Sequence, residues 1–149
     1  MAIPKLALDY KEFLKLLESN HVEYLLIGGY AVGIYGYVRA TNDLDVWVGM
    51  SVNNAAHLER ALKDFGFAAA EAATFLVSGN VIRMGVPPIR IKILTAISGA
   101  DFDTCFAERR LFDLEGIAVP VISLARLRQN KEAAGRAKDL ADLESLPEG

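Results

Sequence analysis

Two aspartates, Asp43 and Asp45, interrupt the apolar run DLDVWV at 43–48. Side chains alternate along a β-strand, so residues i and i+2 share a face. On a strand the two acids therefore point one way, and Leu44 and Val46 point the other. Like charges that close repel, and burying them without a partner is costly. A divalent cation relieves both problems, since Mg²⁺ takes oxygen ligands and typically uses one or two carboxylates together with substrate phosphates. The plain alternative is an exposed strand start with two solvated acids. A double glycine, Gly28-Gly29, stands upstream, where the hydrophobic run VEYLLI (22–27) ends. A chain without Cβ atoms lets backbone N–H groups approach an anion closely. The plain reading there is a tight strand-to-helix turn. Gly28, Gly29, Gly33 and Gly36 do not form a dinucleotide fingerprint, because the spacing G-x-G-x-x-G is absent. An anion cradle followed by a metal-type acid pair suits a phosphate-bearing substrate that arrives with Mg²⁺.

The elements that must position these groups follow from periodicity. Asp9 caps a helix running to about Ser19, with Phe13, Leu14, Leu16 and Leu17 as its apolar face. VEYLLI reads as a buried strand, and AVGIYGY (31–37) as a helical turn or two against the sheet. DLDVWV is the second strand. Asn53 or Asn54 caps a helix that Gly66 closes. TFLVS (74–78) and VIRMG (81–85) read as an antiparallel pair turning at Gly79-Asn80. Pro87-Pro88 breaks the chain, and IRIKIL (89–94) alternates cleanly as a strand. RRLFDLEGIAVPVI (109–122) forms a hairpin turning at Glu115-Gly116. Ser123 caps a helix through about Lys131, and Gly135 separates it from a last helix at about 136–146. This order is not a regular βαβ alternation. It predicts an α/β (α+β) domain with a mixed sheet flanked by helices, one domain over 1–149.

The combination GGYAVGIYGYVRATNDLDV resembles the signature of the nucleotidyltransferase superfamily, whose fold is that of DNA polymerase β. That signature is a hydrophobic strand, Gly-Gly or Gly-Ser, a spacer, then Asp-h-Asp or Asp-h-Glu with h apolar. Gly28-Gly29 match the glycine step and Asp43-Leu44-Asp45 the acid step. The run from Arg39 through Thr41 to Asp43 is similar to the R-x-T-x-D of small bacterial members, among them minimal nucleotidyltransferases and the abortive-infection toxin type. NKEAAGRAKDLADLESL (130–146) resembles their C-terminal region, where a Lys and a G-R-x-K-D-x-x-D run sit beside the nucleotide. The similarity covers roughly 24–146. It implies Mg²⁺ (or Mn²⁺) held by Asp43 and Asp45, and a nucleoside triphosphate seated by Gly28 and Gly29 with help from Arg39, Lys131 and Lys138. It also implies a hydroxyl acceptor on a protein, an RNA or a small molecule.

One position departs from that pattern. A third acid is expected on the strand after Pro87-Pro88, and Lys92 stands there in Ile89-Arg90-Ile91-Lys92-Ile93-Leu94. By alternation Arg90 and Lys92 share a face. A protonated ammonium has no lone pair, so it neither ligates a metal nor accepts a proton. Three readings follow. Lys92 replaces one metal as a tethered cation; or Asp101 or Asp103 folds back to serve as the third acid; or the chain is an inactive member that binds a nucleotide or acts in a toxin–antitoxin or regulatory complex, with a partner protein or a second copy of itself.

Lys131, Arg136 and Lys138 have two readings. They neutralise a triphosphate or contact an RNA backbone, or they form a solvated helix face paired with Glu132, Asp139 and Asp142. Thr41 and Asn42 shape the turn into the strand. Trp47 shares the parity of the acids and packs in the core or against a base. Tyr30, Tyr35 and Tyr37 pack around the glycine turn, and His21 and His57 are surface or cap residues.

The bulk properties set the frame. With 149 residues, 52% of them hydrophobic, the chain can bury one core. A net charge of −3 and a pI near 5.4 argue against a protein that coats nucleic acid. Cys105 is the only cysteine, so no internal disulfide forms. No apolar run approaches a membrane span and no signal-peptide pattern opens the chain, so a soluble cytoplasmic protein is expected.

Overall fold

The strand that carries the acid pair is central to its sheet because its other face is apolar. A computed structural model describes residues 6–38, 41 and 43–148. Its strands are β1 (Tyr24–Ile27), β2 (Asp43–Val48), β3 (Val81–Val86), β4 (Ile89–Leu94), β5 (Arg110–Leu114) and β6 (Ile117–Val121). They form one six-stranded mixed sheet in the order β3-β4-β2-β1-β6-β5. β1 runs antiparallel to β2 and parallel to β6, and β2 runs parallel to β4. In β2, Leu44, Val46 and Val48 are fully buried while Asp43 and Asp45 keep partial access to solvent. The expected alternation is therefore present.

The helices are α1 (Leu8–Ser19), α2 (Gly28–Ile34), α3 (Val52–Phe65), α4 (Phe102–Ala107), α5 (Leu124–Ala134) and α6 (Ala137–Ser145). α1 packs on α3 and on β4 and β6, and α2 lies against β1 and β2. Phe13, Leu14 and Leu17 of α1 and Leu58 and Leu62 of α3 are fully buried in the core. The Tyr10 hydroxyl of α1 lies 3.0 Å from the Arg90 carbonyl, and burial pushes its pKa up to about 12. Among the described residues no helix is long and apolar enough to cross a membrane.

Several local expectations need correction. The N-cap of α1 is Ala7, and Asp9 falls inside the first turn. Gly28 and Gly29 do not precede a helix at 31; they are its first residues. The N-cap of α3 is Ser51, whose hydroxyl accepts from the Asn54 N–H. Asn54 is instead buried as a clamp, accepting from the Glu23 N–H and donating to the Glu23 and Gly49 carbonyls. The segment 72–76 is a 3₁₀ helix rather than a strand. β3 pairs with β4 across the Pro87-Pro88 turn, with Val86 opposite Ile89 and Val81 opposite Leu94. The prolines thus turn a hairpin instead of isolating a strand, because the alternating IRIKIL run offers β3 a full-length partner. α4 was not expected; Asp101 caps it by accepting from the Thr104 N–H.

α5 and α6 are joined by buried charge. Lys131 lies 3.2 Å from Asp139 and 3.1 Å from Asp142, and all three side chains are almost inaccessible. Burial alone would raise the Asp139 carboxyl, but hydrogen bonds from Arg136 and Lys131 outweigh it and hold it below its ordinary value. A carboxyl depressed in the folded state stabilises the fold above its unfolded value. That contribution is lost as pH falls through the lowered folded value. Replacing Lys131 by Met leaves two buried carboxylates facing each other and should cost about 3–5 kcal/mol in urea unfolding at pH 7. The gap between Lys131→Met and wild type should narrow below about pH 3.9, where the unfolded carboxyls are protonated. An unchanged gap at low pH would show that packing, not charge, is lost.

Candidate active site

The parallel register of β2 and β4 builds the floor of the site. Asp43 stands opposite Arg90 and Asp45 opposite Lys92, so acids and bases face each other across one ladder. The Arg90 guanidinium grips Asp43 bidentately: Nε donates to Oδ1 and a terminal nitrogen donates to Oδ2 at 3.2 Å. This contact holds the Asp43 carboxyl below the usual carboxylate range. The Lys92 ammonium sits 3.9 Å from an oxygen of each aspartate. It thus lies between the two acids, on the face that alternation predicts. Burial raises the Asp45 carboxyl, although Lys92 opposes the shift. The Asp45 Oδ1 atom is buried and has no hydrogen-bond partner among the described residues.

The glycines serve this floor directly. Gly28 has φ +70°, and a Cβ there would meet Asp45 Oδ2 at 2.4 Å. A Cβ on Gly29 would meet the Thr41 side chain at 2.8 Å. Their missing side chains are therefore filled by Asp45 and Thr41. Thr41 in turn donates its hydroxyl to the Asp43 carbonyl at 3.2 Å, which shapes the entry into β2.

Above the floor is an open cleft of about 560 Å³. Gly28, Gly29, Asp43, Asp45 and Lys92 line it together with Lys131, Arg136 and Lys138 of the C-terminal region. The expected residues from distant parts of the chain are thus gathered in one place. Arg39 and Asn42 lie outside the described residues. Lys131 reaches the cleft wall, but its ammonium is held by Asp139 and Asp142. Arg136 is tied to Asp139. Lys138 makes no hydrogen bond or ion pair among the described residues. Burial and the neighbouring charges of Arg136, Lys131 and Lys92 lower its pKa. It is the cation in the cleft with most to gain from an anion. Asp101 and Asp103 do not line this cleft, and Asp101 is engaged as the cap of α4, so neither supplies a third acid here. Trp47 is core, set edge-on to Phe102 at 5.2 Å. Asn130 and Ser98 also line the cleft and hydrogen-bond each other; neither carries a spacing signal in the sequence.

The donor set fits one divalent cation and not a pair. Among the described residues no three His, Cys, Asp or Glu side chains gather as ligands. Asp45 offers an oxygen that faces Lys92 but accepts no hydrogen bond among the described residues. Asp43 retains lone pairs beyond those that Arg90 uses, since a carboxylate has about four acceptor sites. Lys92, 3.9 Å from an oxygen of each acid, brings a cation and not a third carboxylate to the floor.

No protein-family model matches the chain, and no curated protein matches it. Among solved structures it is similar to a Thermotoga maritima protein described provisionally as a nucleotidyltransferase. The likeness has a TM-score of 0.58 at 16% identity, and covers 91% of this chain and 88% of that one. At that identity the likeness is one of fold: a nucleotidyltransferase-type sheet with flanking helices.

The packing of Gly28 against Asp45 predicts a specific cost. Gly28→Ala forces Asp45 aside and places a side chain at positive φ. It should lose more than about 1 kcal/mol in urea unfolding. Stability equal to wild type would mean that Asp45 does not occupy this position.

Proposed function

We propose that the protein binds a nucleoside triphosphate in this cleft and transfers its nucleotidyl group to a hydroxyl of an acceptor. One observation carries the reading. An acid pair whose Asp45 oxygen faces Lys92 without a hydrogen bond shares a cleft with the ammonium of Lys138, which makes no ion pair or hydrogen bond among the described residues. A triphosphate carrying a cation asks for both groups at once. The runs R-x-T-x-D and G-R-x-K-D-x-x-D support a place among the small bacterial members, the toxin type included.

Asp45 and Asp43 would hold Mg²⁺ or Mn²⁺, which when bound draws charge from the phosphate oxygens. Lys138 and Arg136 face the triphosphate, and Lys92 both offsets the repulsion of the acids and adds positive charge beside the transferred group. Lys131 is a positioning residue, because its clasp by Asp139 and Asp142 holds α6 where Lys138 meets the cleft. In the reaction the acceptor oxygen bonds to the α-phosphorus. The bond from that phosphorus to the bridging oxygen breaks, and pyrophosphate leaves with the electron pair. The hydroxyl proton passes to water at the open mouth, since the ammonium of Lys92 has no lone pair to receive it.

Equilibrium binding of the four nucleoside triphosphates with Mg²⁺ tests this first. At least one should bind, and Lys138→Ala should weaken it about tenfold, the worth of one charged hydrogen bond. Asp45→Ala should remove the effect of chelating the Mg²⁺. Label from the α-phosphate should then appear on an acceptor in cell extract with wild type and not with Asp45→Ala. Failure of all four nucleotides to bind would sink the reading.

A further inference from the structure

The cleft changes character along β4. Lys92 and Leu94 share a face of that strand, and Leu94 stands roughly 7 Å beyond Lys92. Past Leu94 the lining continues through Ala96, Ile97 and Ser98, and α5 adds Asn130 and Ala134, about one helical turn apart. None of these six residues carries a charge. Phosphate and its cation are served by the acid pair and by Lys138, and they leave this part of the cleft unused.

The uncharged part is held rigidly. Asn130 Nδ2 donates to the Ser98 carbonyl at 2.9 Å. A carbonyl only accepts, so the amide must keep its nitrogen on Ser98 and cannot turn over. Beside it, Gly99 has φ +72°, and a Cβ there would lie 2.5 Å from the Ala133 Cβ. The loop after β4 is therefore pressed onto α5 as closely as a glycine allows. Asn130 Oδ1 accepts no hydrogen bond among the described residues. Both of its lone pairs remain for a ligand, against a single remaining N–H on Nδ2. A fixed acceptor among Leu94, Ile97 and Ala134, next to a site for phosphate, matches a flat ring that brings an N–H donor.

We propose that Asn130 is a specificity-determining residue, and that the nucleotide of this cleft bears an exocyclic amine on the base edge remote from the sugar, as adenine and cytosine do. The proposal rests on the reading of the cleft as a triphosphate site. The base lies against the aliphatic side chains and its amine donates to Asn130 Oδ1. The remaining N–H of Asn130 donates to the unprotonated ring nitrogen beside the amine. Hypoxanthine and uracil reverse both groups. An oxo group replaces the amine and the ring nitrogen carries a proton, so acceptor meets acceptor and donor meets donor. Because Ser98 holds the amide, Asn130 cannot adapt by exchanging its oxygen and nitrogen.

The experiment measures equilibrium binding of ATP, ITP, CTP and UTP with Mg²⁺ to the full chain, with inorganic tripolyphosphate as the base-free reference. Within each pair, ATP with ITP and CTP with UTP, the ligands differ at that edge alone. At least one amine-bearing nucleotide should bind about tenfold or more tightly than its oxo partner, as expected when buried polar groups are left unmatched. The pair that shows the preference identifies the base. In Asn130→Ala the ratio should fall to near unity, while tripolyphosphate binds as it does to wild type. Equal affinities within both pairs, tighter binding of ITP or UTP, or a preference that survives Asn130→Ala would overturn the proposal. So would loss of tripolyphosphate binding in Asn130→Ala, because the residue would then hold the cleft together rather than read a base. Tripolyphosphate separates the two readings. If it binds and neither pair shows a preference, the role of Asn130 fails alone; if neither it nor any nucleotide binds, the triphosphate site fails and the role of Asn130 with it.

Discussion

Two carboxylates on one face of a central strand repel each other, and the sheet is arranged around that repulsion. Asp43 and Asp45 cannot be moved apart without losing the apolar register of Leu44, Val46 and Val48 on the other face. The parallel neighbour β4 answers with Arg90 and Lys92 in direct register. The compensation is uneven, however. Asp43 is gripped by two hydrogen bonds, whereas Asp45 Oδ1 faces an ammonium at 3.9 Å and has no hydrogen bond among the described residues. A buried charge left partly unsatisfied is a standing cost, and such costs gather where a ligand is to be received.

The C-terminal helices complete the site by the same kind of exchange, with the signs reversed. Lys131, buried between Asp139 and Asp142, is a cation whose charge is consumed inside the protein. Its role is to fix α6 against α5, and α6 is what brings Lys138 to the cleft. Lys138 is then left among Arg136, Lys131 and Lys92, a surplus of positive charge opposite the acid pair. Neither half would make the proposed polyphosphate site alone. The acid floor repels phosphate without a cation, and the basic wall has nothing to orient it.

Much of this was legible in the chain. The alternation in DLDVWV placed both acids on one face, and IRIKIL placed Arg90 and Lys92 together, because side-chain direction on a strand is a matter of parity. Ser123 as a helix cap, Gly66 and Gly135 as helix ends, and the Glu115-Gly116 turn were readable because each depends on a few adjacent residues. Some misreadings were local, as with the caps of α1 and α3, and others depended on a choice among partners or on an element too short to show itself. Val81–Val86 pairs with β4 rather than with 74–78, and Asp101 caps a helix that has too few turns to show periodicity.

The sequence by itself therefore determined the candidate groups and the faces they occupy, since both follow from local geometry. Only the tertiary structure decided which charges meet. Parallel pairing of β2 with β4 joins residues far apart along the chain, and nothing local specifies that Arg90 takes Asp43 while Lys92 falls between both acids. The same holds for the two lysines of the C-terminal run. Their spacing marks both as cations, but Asp139 and Asp142 engage Lys131 between two helices, while Lys138 lines the cleft. Burial and long-range pairing fix the free energy of each charge, and both are properties of the packed chain.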